Sequence, residues 1–323
     1  MPAVDMTKGV LVVTMVVYHS FNYSADYRLG FQYLPFLPPS FILITGFLIA
    51  KVYGRQEDWS RQGASGRLIT RGLRLLVLFT LLNIAAQFTG RYNGALEERS
   101  SSFFHHWVEI YLTGTGRFAA FEVLVPIAYL LLAAPVLLWL RRSSKFFLPG
   151  VALLLLGGCE LLSRLAEPYG MILLFSAGVI GMLAGGVSAA KLELAGRYWV
   201  ITVLAYAGYV AVREYVEEDA LAQLVDAFLA TLLIYAICLR IGATGFLQER
   251  LITLGKYSLI AYVGQIAILQ VFGRAFGRLI PFSLVFFGQM LLVLVLILVI
   301  SEALQWARGK SRALDYVYRA GFA

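Results

Sequence analysis

The chain has 323 residues, of which 60% are hydrophobic and only 14% are charged, and its mean hydropathy is +0.77. A soluble protein would carry about 25% charged residues, so the composition excludes an ordinary soluble enzyme and indicates a multi-span helical membrane protein. The net charge of +8 comes from basic residues spread over many segments, which fits cytoplasmic membrane loops and argues against a nucleic-acid partner.

Apolar runs of membrane-spanning length recur along the whole chain. They predict an all-α polytopic bundle of about ten transmembrane helices, formed by a single integral membrane domain over residues 1–323. The predicted spans are 6–24, 38–54, 68–90, 119–140, 146–164, 169–189, 197–213, 220–240, 252–273 and 281–306.

The distribution of charge predicts the orientation of these spans. If the N-terminus is cytoplasmic, most of the 27 lysines and arginines fall in inner segments. The outer segments then hold most of the acids, including the run EYVEEDA at 214–220. This asymmetry predicts that both termini are inside, which agrees with an even number of spans.

The first span carries ionisable residues at unusual positions, in the stretch DMTKGVLVVTMVVYHSFNY. Lys8 and His19 are eleven residues apart, so at about 100° per residue they share one helix face and lie about 16 Å apart along the axis. Asp5 and Asn22 extend this polar stripe. Because a charge facing lipid is costly, the stripe is expected to face the bundle interior or a hydrated tunnel.

Two simpler interpretations compete with a functional one. Asp5 and Lys8 can be a snorkelling pair at a helix end, and His19 can be a satisfied core residue. Cys159 and Cys238 lie alone in apolar segments and are interpreted as buried hydrophobes. With only three histidines in the chain, no ligand set for a metal is expected.

Five motifs follow one another along the chain: Asp-x-x-Lys-Gly before His19, FILITGFLIAK, RLITRGLRLLVLF, FEVLVPIAYLLLAAP and LGKYSLIAYVGQ. In this order they resemble the type-three membrane acyltransferase superfamily. The first is similar to the family's first helix, with Lys8 in place of the usual Arg, and the second resembles its second span. The third supplies Arg71 and Arg74 for an Arg-x-x-Arg element. The fourth resembles the glucan succinyltransferase branch, and the fifth resembles a late element in which Gln265 replaces His.

The resemblance implies an acyl-CoA-dependent O-acyltransferase of the bacterial inner membrane. It would move an acetyl or succinyl group from cytoplasmic acyl-CoA to a hydroxyl of an envelope glycan or glycolipid at the outer face. His19 would be the catalytic base or transient acyl carrier. Arg71 and Arg74, with Lys8 beside them, would bind the phosphates of the donor, and Asp5 would orient this group. A homo-oligomer is left open.

Glu122 is a second catalytic candidate, because it would enter the fourth span at a depth similar to that of His19. It would orient the imidazole or bind the acceptor, although a helix-capping role is equally compatible with its position. Pro126 lacks the N–H that would bond the Glu122 carbonyl, which predicts a kink and a free carbonyl. The predicted substrate-binding residues are Asn22, Tyr129, Tyr262 and Gln265, each with helix packing as the alternative.

The rival hypothesis is a transporter or flippase in which Asp5, Lys8 and His19 form a proton or substrate relay. No inverted repeat and no pair of interrupted helices is evident in the sequence, which favours the enzyme. The sequence identifies neither the acceptor nor the acyl chain.

Overall fold

The computed structural model describes residues 1–22, 34–54, 63–88, 103, 105–113, 121–165, 168–213, 219–276 and 282–322. The regular secondary structure in these ranges is entirely helical. Fourteen helices follow one another in the described residues. In chain order they are α1 (Pro2–Asn22), α2 (Leu37–Tyr53), α3 (Ala64–Phe88), α4 (Trp107–Thr113), α5 (Leu124–Ser143), α6 (Phe147–Arg164), α7 (Gly170–Gly185), α8 (Ala189–Arg197), α9 (Trp199–Arg213), α10 (Ala220–Ile241), α11 (Phe246–Lys256), α12 (Ser258–Phe276), α13 (Phe282–Lys310) and α14 (Arg312–Phe322).

Each of the ten predicted spans overlaps a helix, so the all-α prediction is confirmed. By length and composition, five helices of the described chain can cross a membrane: α3, α5, α6, α10 and α13. The number rises to seven if two bent helix pairs each count as one span. Helix α1 is not among them, because its polar residues lower its hydropathy. The predicted count of about ten and the orientation stay predictions.

The chain divides into two compact units. Unit 1 comprises residues 1–37, 190–208 and 229–323, and unit 2 comprises residues 38–189 and 209–228. Each unit combines segments that are distant in the sequence.

Unit 2 is built around glycines that let helices touch. A Cβ on Gly46 of α2 would lie 1.9 Å from the carbonyl oxygen of Gly178 on α7, and one on Gly181 would lie 1.9 Å from that of Leu43. Only glycine permits such backbone contact between membrane helices. An apolar core then fills the space among α2, α3, α5, α6 and α7, with Ile42 and Leu130 fully buried.

Unit 1 is organised around α1, which packs against α11, α12 and α13. Glycines again allow the closest approach. A Cβ on Gly9 would lie 2.0 Å from the carbonyl oxygen of Leu251, and one on Gly255 would lie 1.7 Å from that of Asp5. Backbone contact at Gly9 and Gly255 therefore fixes where the polar groups of α1 lie within the unit.

The predicted span 252–273 is not a straight helix, because the chain bends by 87° between α11 and α12. The break falls at Tyr257, whose hydroxyl accepts a hydrogen bond from Arg308 at 3.2 Å. Arg308 also donates to Asp315 of α14 at 2.6 Å and lies over the ring of Tyr318. These contacts hold the break at the point where α13 ends, which apolar periodicity does not reveal.

Gly255→Ala is expected to lower the Tm by roughly 5 °C or more, because the new methyl group collides with the Asp5 carbonyl and forces α1 and α11 apart. Thermal unfolding of the purified protein in detergent measures this. The matched control is Gly264→Ala on α12, where a Cβ would meet nothing within 4 Å and helix propensity favours alanine. Equal melting temperatures for the two variants would contradict the proposed close contact.

Candidate functional site

The polar stripe predicted on α1 begins with an ion pair. Asp5 Oδ1 lies 3.9 Å from Lys8 Nζ, and both side chains are half-buried. The lysine therefore has a carboxylate beside it, as the spacing of three residues predicts. Roles for Asp5 in orientation and for Lys8 in donor binding stay predictions.

The stripe lies on a buried side of α1, and the side chains between its two ends are apolar. Between Lys8 and His19 the same face carries Val12 and Met15, which are 0% and 5% exposed. These side chains pack inside the protein and place no polar group between the ammonium and the imidazole on that face. The hydrated tunnel expected between Lys8 and His19 stays a prediction.

The imidazole of His19 lies among aromatic rings in unit 1. Its centroid is 5.3 Å from that of Tyr18, edge to face, and 6.0 Å from that of Tyr262 on α12. His19 is half-buried, whereas Tyr262 is buried. The structure thus brings together two of the residues that the sequence selected, one from each end of the chain.

The same region contains buried polar groups. Gln265 of α12, which the sequence selected, is fully buried, and neither its amide nitrogen nor its amide oxygen has a hydrogen-bond partner in the described chain. Ser20 and Gln289 are similar and were missed by the sequence analysis. The sequence does contain a signal for each of them. Gln289 is a single amide inside the apolar run FSLVFFGQMLLVLVLILVI, and Ser20 is a hydroxyl directly after His19.

Arg71 and Arg74 belong to α3 in unit 2. Arg71 is exposed and Arg74 is half-buried, which agrees with the deeper position expected for Arg74. Gly72, between them, faces α5, where a Cβ would lie 2.9 Å from the carbonyl oxygen of Ala128. The close contact of α3 with α5 fixes the direction in which the two guanidinium groups project.

The expected free carbonyl at Glu122 is wrong. Helix α5 begins at Leu124, so Pro126 lies in its first turn, where a missing N–H costs nothing. The Glu122 carbonyl accepts a hydrogen bond from the N–H of Val125 at 3.1 Å. Glu122 itself is half-buried in the turn before α5, and its catalytic role stays a prediction.

Tyr129 has a packing contact in unit 2. Its hydroxyl donates a 2.7 Å hydrogen bond to the carbonyl oxygen of Tyr111 on α4, whose own hydroxyl is bonded to Thr80 of α3. Tyr129 therefore links α5 to the short helix that follows α3, which is the packing alternative considered for this residue. Asn22 ends α1, and its side chain lies outside the described residues.

The described residues contain no group of three or more His, Cys, Asp or Glu side chains placed to hold a metal ion. The two cysteines are buried and unpaired by disulfide, Cys159 near the hydroxyl of Ser176 at 3.8 Å. The described side chains on the turns of α1, α12 and α13 considered above are an imidazole, phenols, amides and a hydroxyl.

A comparison with protein families supports the resemblance found in the sequence. A family model described as an acyltransferase domain matches residues 1–304 of this chain. The match covers all of unit 2, unit 1 up to residue 304, and all five resembling segments. No curated protein and no solved structure gave a significant match.

Tyr129→Phe is expected to lower the Tm by a few degrees, because the Tyr111 carbonyl loses its hydrogen-bond donor at about 1 kcal/mol. The Michaelis constant for any acceptor should not change. Thermal unfolding and acceptor titration check this, with Tyr235→Phe on α10 as a tyrosine control. A weakened acceptor affinity at an unchanged Tm would instead support the predicted substrate-binding role of Tyr129.

Proposed function

Since the chain belongs to the acyltransferase-3 family of integral membrane acyltransferases, we propose that it transfers an acyl group from cytoplasmic acyl-CoA to a sugar hydroxyl at the outer membrane face. The observation that carries the proposal is His19, held on α1 among the rings of Tyr18 and Tyr262. The other histidines of the chain, His105 and His106, lie beside the short helix α4.

An imidazole at this position suits acyl transfer. His19 removes the proton from the acceptor hydroxyl as its oxygen attacks the thioester carbonyl. The carbon–sulfur bond then breaks, and the thiolate takes up the proton and leaves as free CoA. Tyr262 restricts the imidazole, because its ring packs 6.0 Å away.

Donor binding is proposed for three cationic residues. In unit 2, Arg74 and Arg71 of α3 would bind phosphate groups through paired N–H donors. Lys8 of unit 1 is proposed separately, as a point charge that the family resemblance assigns to donor binding. The half-buried position of Arg74 supports assigning it the larger share, because a partly desolvated guanidinium binds phosphate more strongly than an exposed one.

The acceptor and the location are proposed from the family resemblance. The acceptor would be an envelope glycan or glycolipid hydroxyl, the acyl group acetyl or succinyl, and the membrane the bacterial inner membrane. Glu122 would assist at the acceptor side. The several apolar helices support a multi-pass membrane location.

One structural observation supports the transporter hypothesis, and another argues against it. A bent helix pair, which the sequence did not reveal, is present at α11 and α12. However, buried Val12 and Met15 separate Lys8 from His19, so a proton relay along this face has no polar step between them. Together with the family match, this favours the enzyme.

His19→Ala is expected to reduce acyl transfer by at least about 100-fold, because general-base catalysis typically contributes that much, whereas donor binding should stay within about twofold of the wild type. Purified protein in detergent is incubated with radiolabelled acetyl-CoA or succinyl-CoA and an envelope glycan extract. Labelled product and direct donor binding are measured separately.

The matched control is Thr14→Ala on the same helix, α1. Within the described chain, the Thr14 hydroxyl donates a hydrogen bond only to the Val10 carbonyl, at 3.0 Å. This variant should keep full activity. Thioester turnover that persists in His19→Ala, or a wild type without any turnover, would overturn the proposed function.

Arg74→Ala is expected to raise the Michaelis constant for acyl-CoA about 10-fold or more, because it removes a charge-assisted hydrogen bond to phosphate. The constant for S-acyl-pantetheine, which lacks the nucleotide phosphates, should not change. Arg67→Ala is the control, because it removes a cation from the same helix, α3. The guanidinium of Arg67 lies over the ring of Tyr53, and no phosphate contact is proposed for it. An equal effect on both donors would exclude phosphate recognition by Arg74.

A further inference from the structure

Three buried polar side chains of unit 1 lie on three helices that pack against one another. Ser20 of α1 is 1% exposed, Gln265 of α12 is 0% exposed and Gln289 of α13 is 2% exposed. The hydroxyl of Ser20 and all four amide atoms of the two glutamines have no hydrogen-bond partner among the described residues. We call Ser20, Gln265 and Gln289 the amide layer.

Ring contacts show where the helices that carry Gln265 and Gln289 meet α1. His19 contacts Tyr262, and Gln265 follows Tyr262 by three residues on the same helix. Phe21 stacks on Phe286 at 5.3 Å between centroids, and Gln289 follows Phe286 by three residues. Residues three apart share a helix face, so both amides lie on faces that meet α1 at residues 19 to 21.

Unsatisfied groups of this kind need an explanation. Buried side-chain amides and hydroxyls in proteins are nearly always hydrogen-bonded, because burial without a partner carries the full cost of desolvation. Within a membrane, bulk water is not available to compensate. Five such atoms on three helices that pack against one another therefore indicate a site that a ligand satisfies.

The chemistry of the layer defines the ligand class. Its groups are neutral and offer donors and acceptors together, so they match a neutral ligand rather than an anion. A carboxamide pairs with a secondary amide by donating to its carbonyl and accepting from its N–H. The complete burial of Gln265 favours a thin chain over a sugar ring.

We propose that the amide layer binds the two secondary amides of the pantetheine arm of the acyl donor, an inference that rests on the proposed function. The arm would lie along the side of α1 that carries Ser20, next to His19. It would thus bypass Val12 and Met15, which fill the face between Lys8 and His19. The thioester at the end of the arm would then reach the imidazole.

The test compares two donors, S-acetyl-pantetheine and an analogue in which one amide N–H is replaced by oxygen. Wild-type protein should use the analogue with a Michaelis constant about 5- to 10-fold higher, because one hydrogen bond to the amide layer is lost. Gln265→Leu and Gln289→Leu should raise the constant for S-acetyl-pantetheine similarly. In at least one of them, the discrimination between the two donors should disappear.

Two variants on the same helices serve as controls. Gln270→Leu on α12 changes a half-buried glutamine, and Gln305→Leu on α13 changes an exposed glutamine that accepts a hydrogen bond from Thr253 at 3.1 Å. Neither should alter donor discrimination. If all variants keep His19-dependent turnover and wild-type discrimination, the amide layer holds structural water or the acceptor, and the inference is wrong while the proposed function stands.

Stability gives a second, independent readout. Without donor, Gln265→Leu should melt at the same temperature as the wild type or higher, because an unsatisfied amide is replaced by an apolar side chain. Excess S-acetyl-pantetheine should raise the melting temperature of the wild type more than that of the variant. A variant that melts lower in the absence of donor, with an unchanged response to donor, would overturn the inference.

Discussion

Backbone contact between α1 and α11 is the constraint on which unit 1 depends. At Gly9 and Gly255 the helices approach so closely that a single methyl group on either glycine would overlap a carbonyl oxygen. Membrane helices gain little from burying apolar surface against each other, so such close packing supplies much of their specificity. The position of His19, two to three turns further along α1, follows from where this contact fixes the helix.

The break between α11 and α12 also determines which residues lie near His19. A straight helix would carry Tyr262 and Gln265 away from the turn of α1 that holds His19. The break at Tyr257 is instead stabilised by Arg308, which contacts Tyr257, Tyr318 and Asp315 together. A cationic group at the end of α13 thus determines which residues of α12 accompany the imidazole.

The buried amides are the clearest departure from a sequence optimised for stability alone. Leucine at 265 and 289 would suit the apolar surroundings, and each unpartnered carboxamide costs stability in the ligand-free protein. Proteins accept such costs at sites where a ligand supplies the missing hydrogen bonds. The glutamines of the amide layer differ from Tyr129 in this respect, because the Tyr129 hydroxyl already has a hydrogen-bond partner.

Hydrophobicity predicted the helices of this chain well, because apolar runs of sufficient length have few alternatives to helix in a membrane. The pairing of Asp5 with Lys8 followed from their spacing. The break at Tyr257 was missed because the apolar pattern continues through it, and only contacts from distant segments reveal it.

Other errors have local causes. The carbonyl of Glu122 was predicted to be free on the assumption that the helix had already begun, whereas Pro126 lies in its first turn. A shared helix face correctly placed Lys8 and His19 on a buried side, but the prediction overlooked Val12 and Met15, which the same spacing places between them. Ser20 and Gln289 were missed although the sequence shows a hydroxyl after His19 and one amide in an apolar run, because only the structure shows that they have no hydrogen-bond partner among the described residues.

An acyl donor is proposed to reach the imidazole of His19 along the amide layer. A cryo-electron microscopy map of the protein with a non-hydrolysable thioether analogue of acyl-CoA tests this most directly. Density for the pantetheine arm is expected against Gln265 and Gln289, with the sulfur beside His19. Density for the arm elsewhere on the protein, with the amide layer unoccupied, would contradict it.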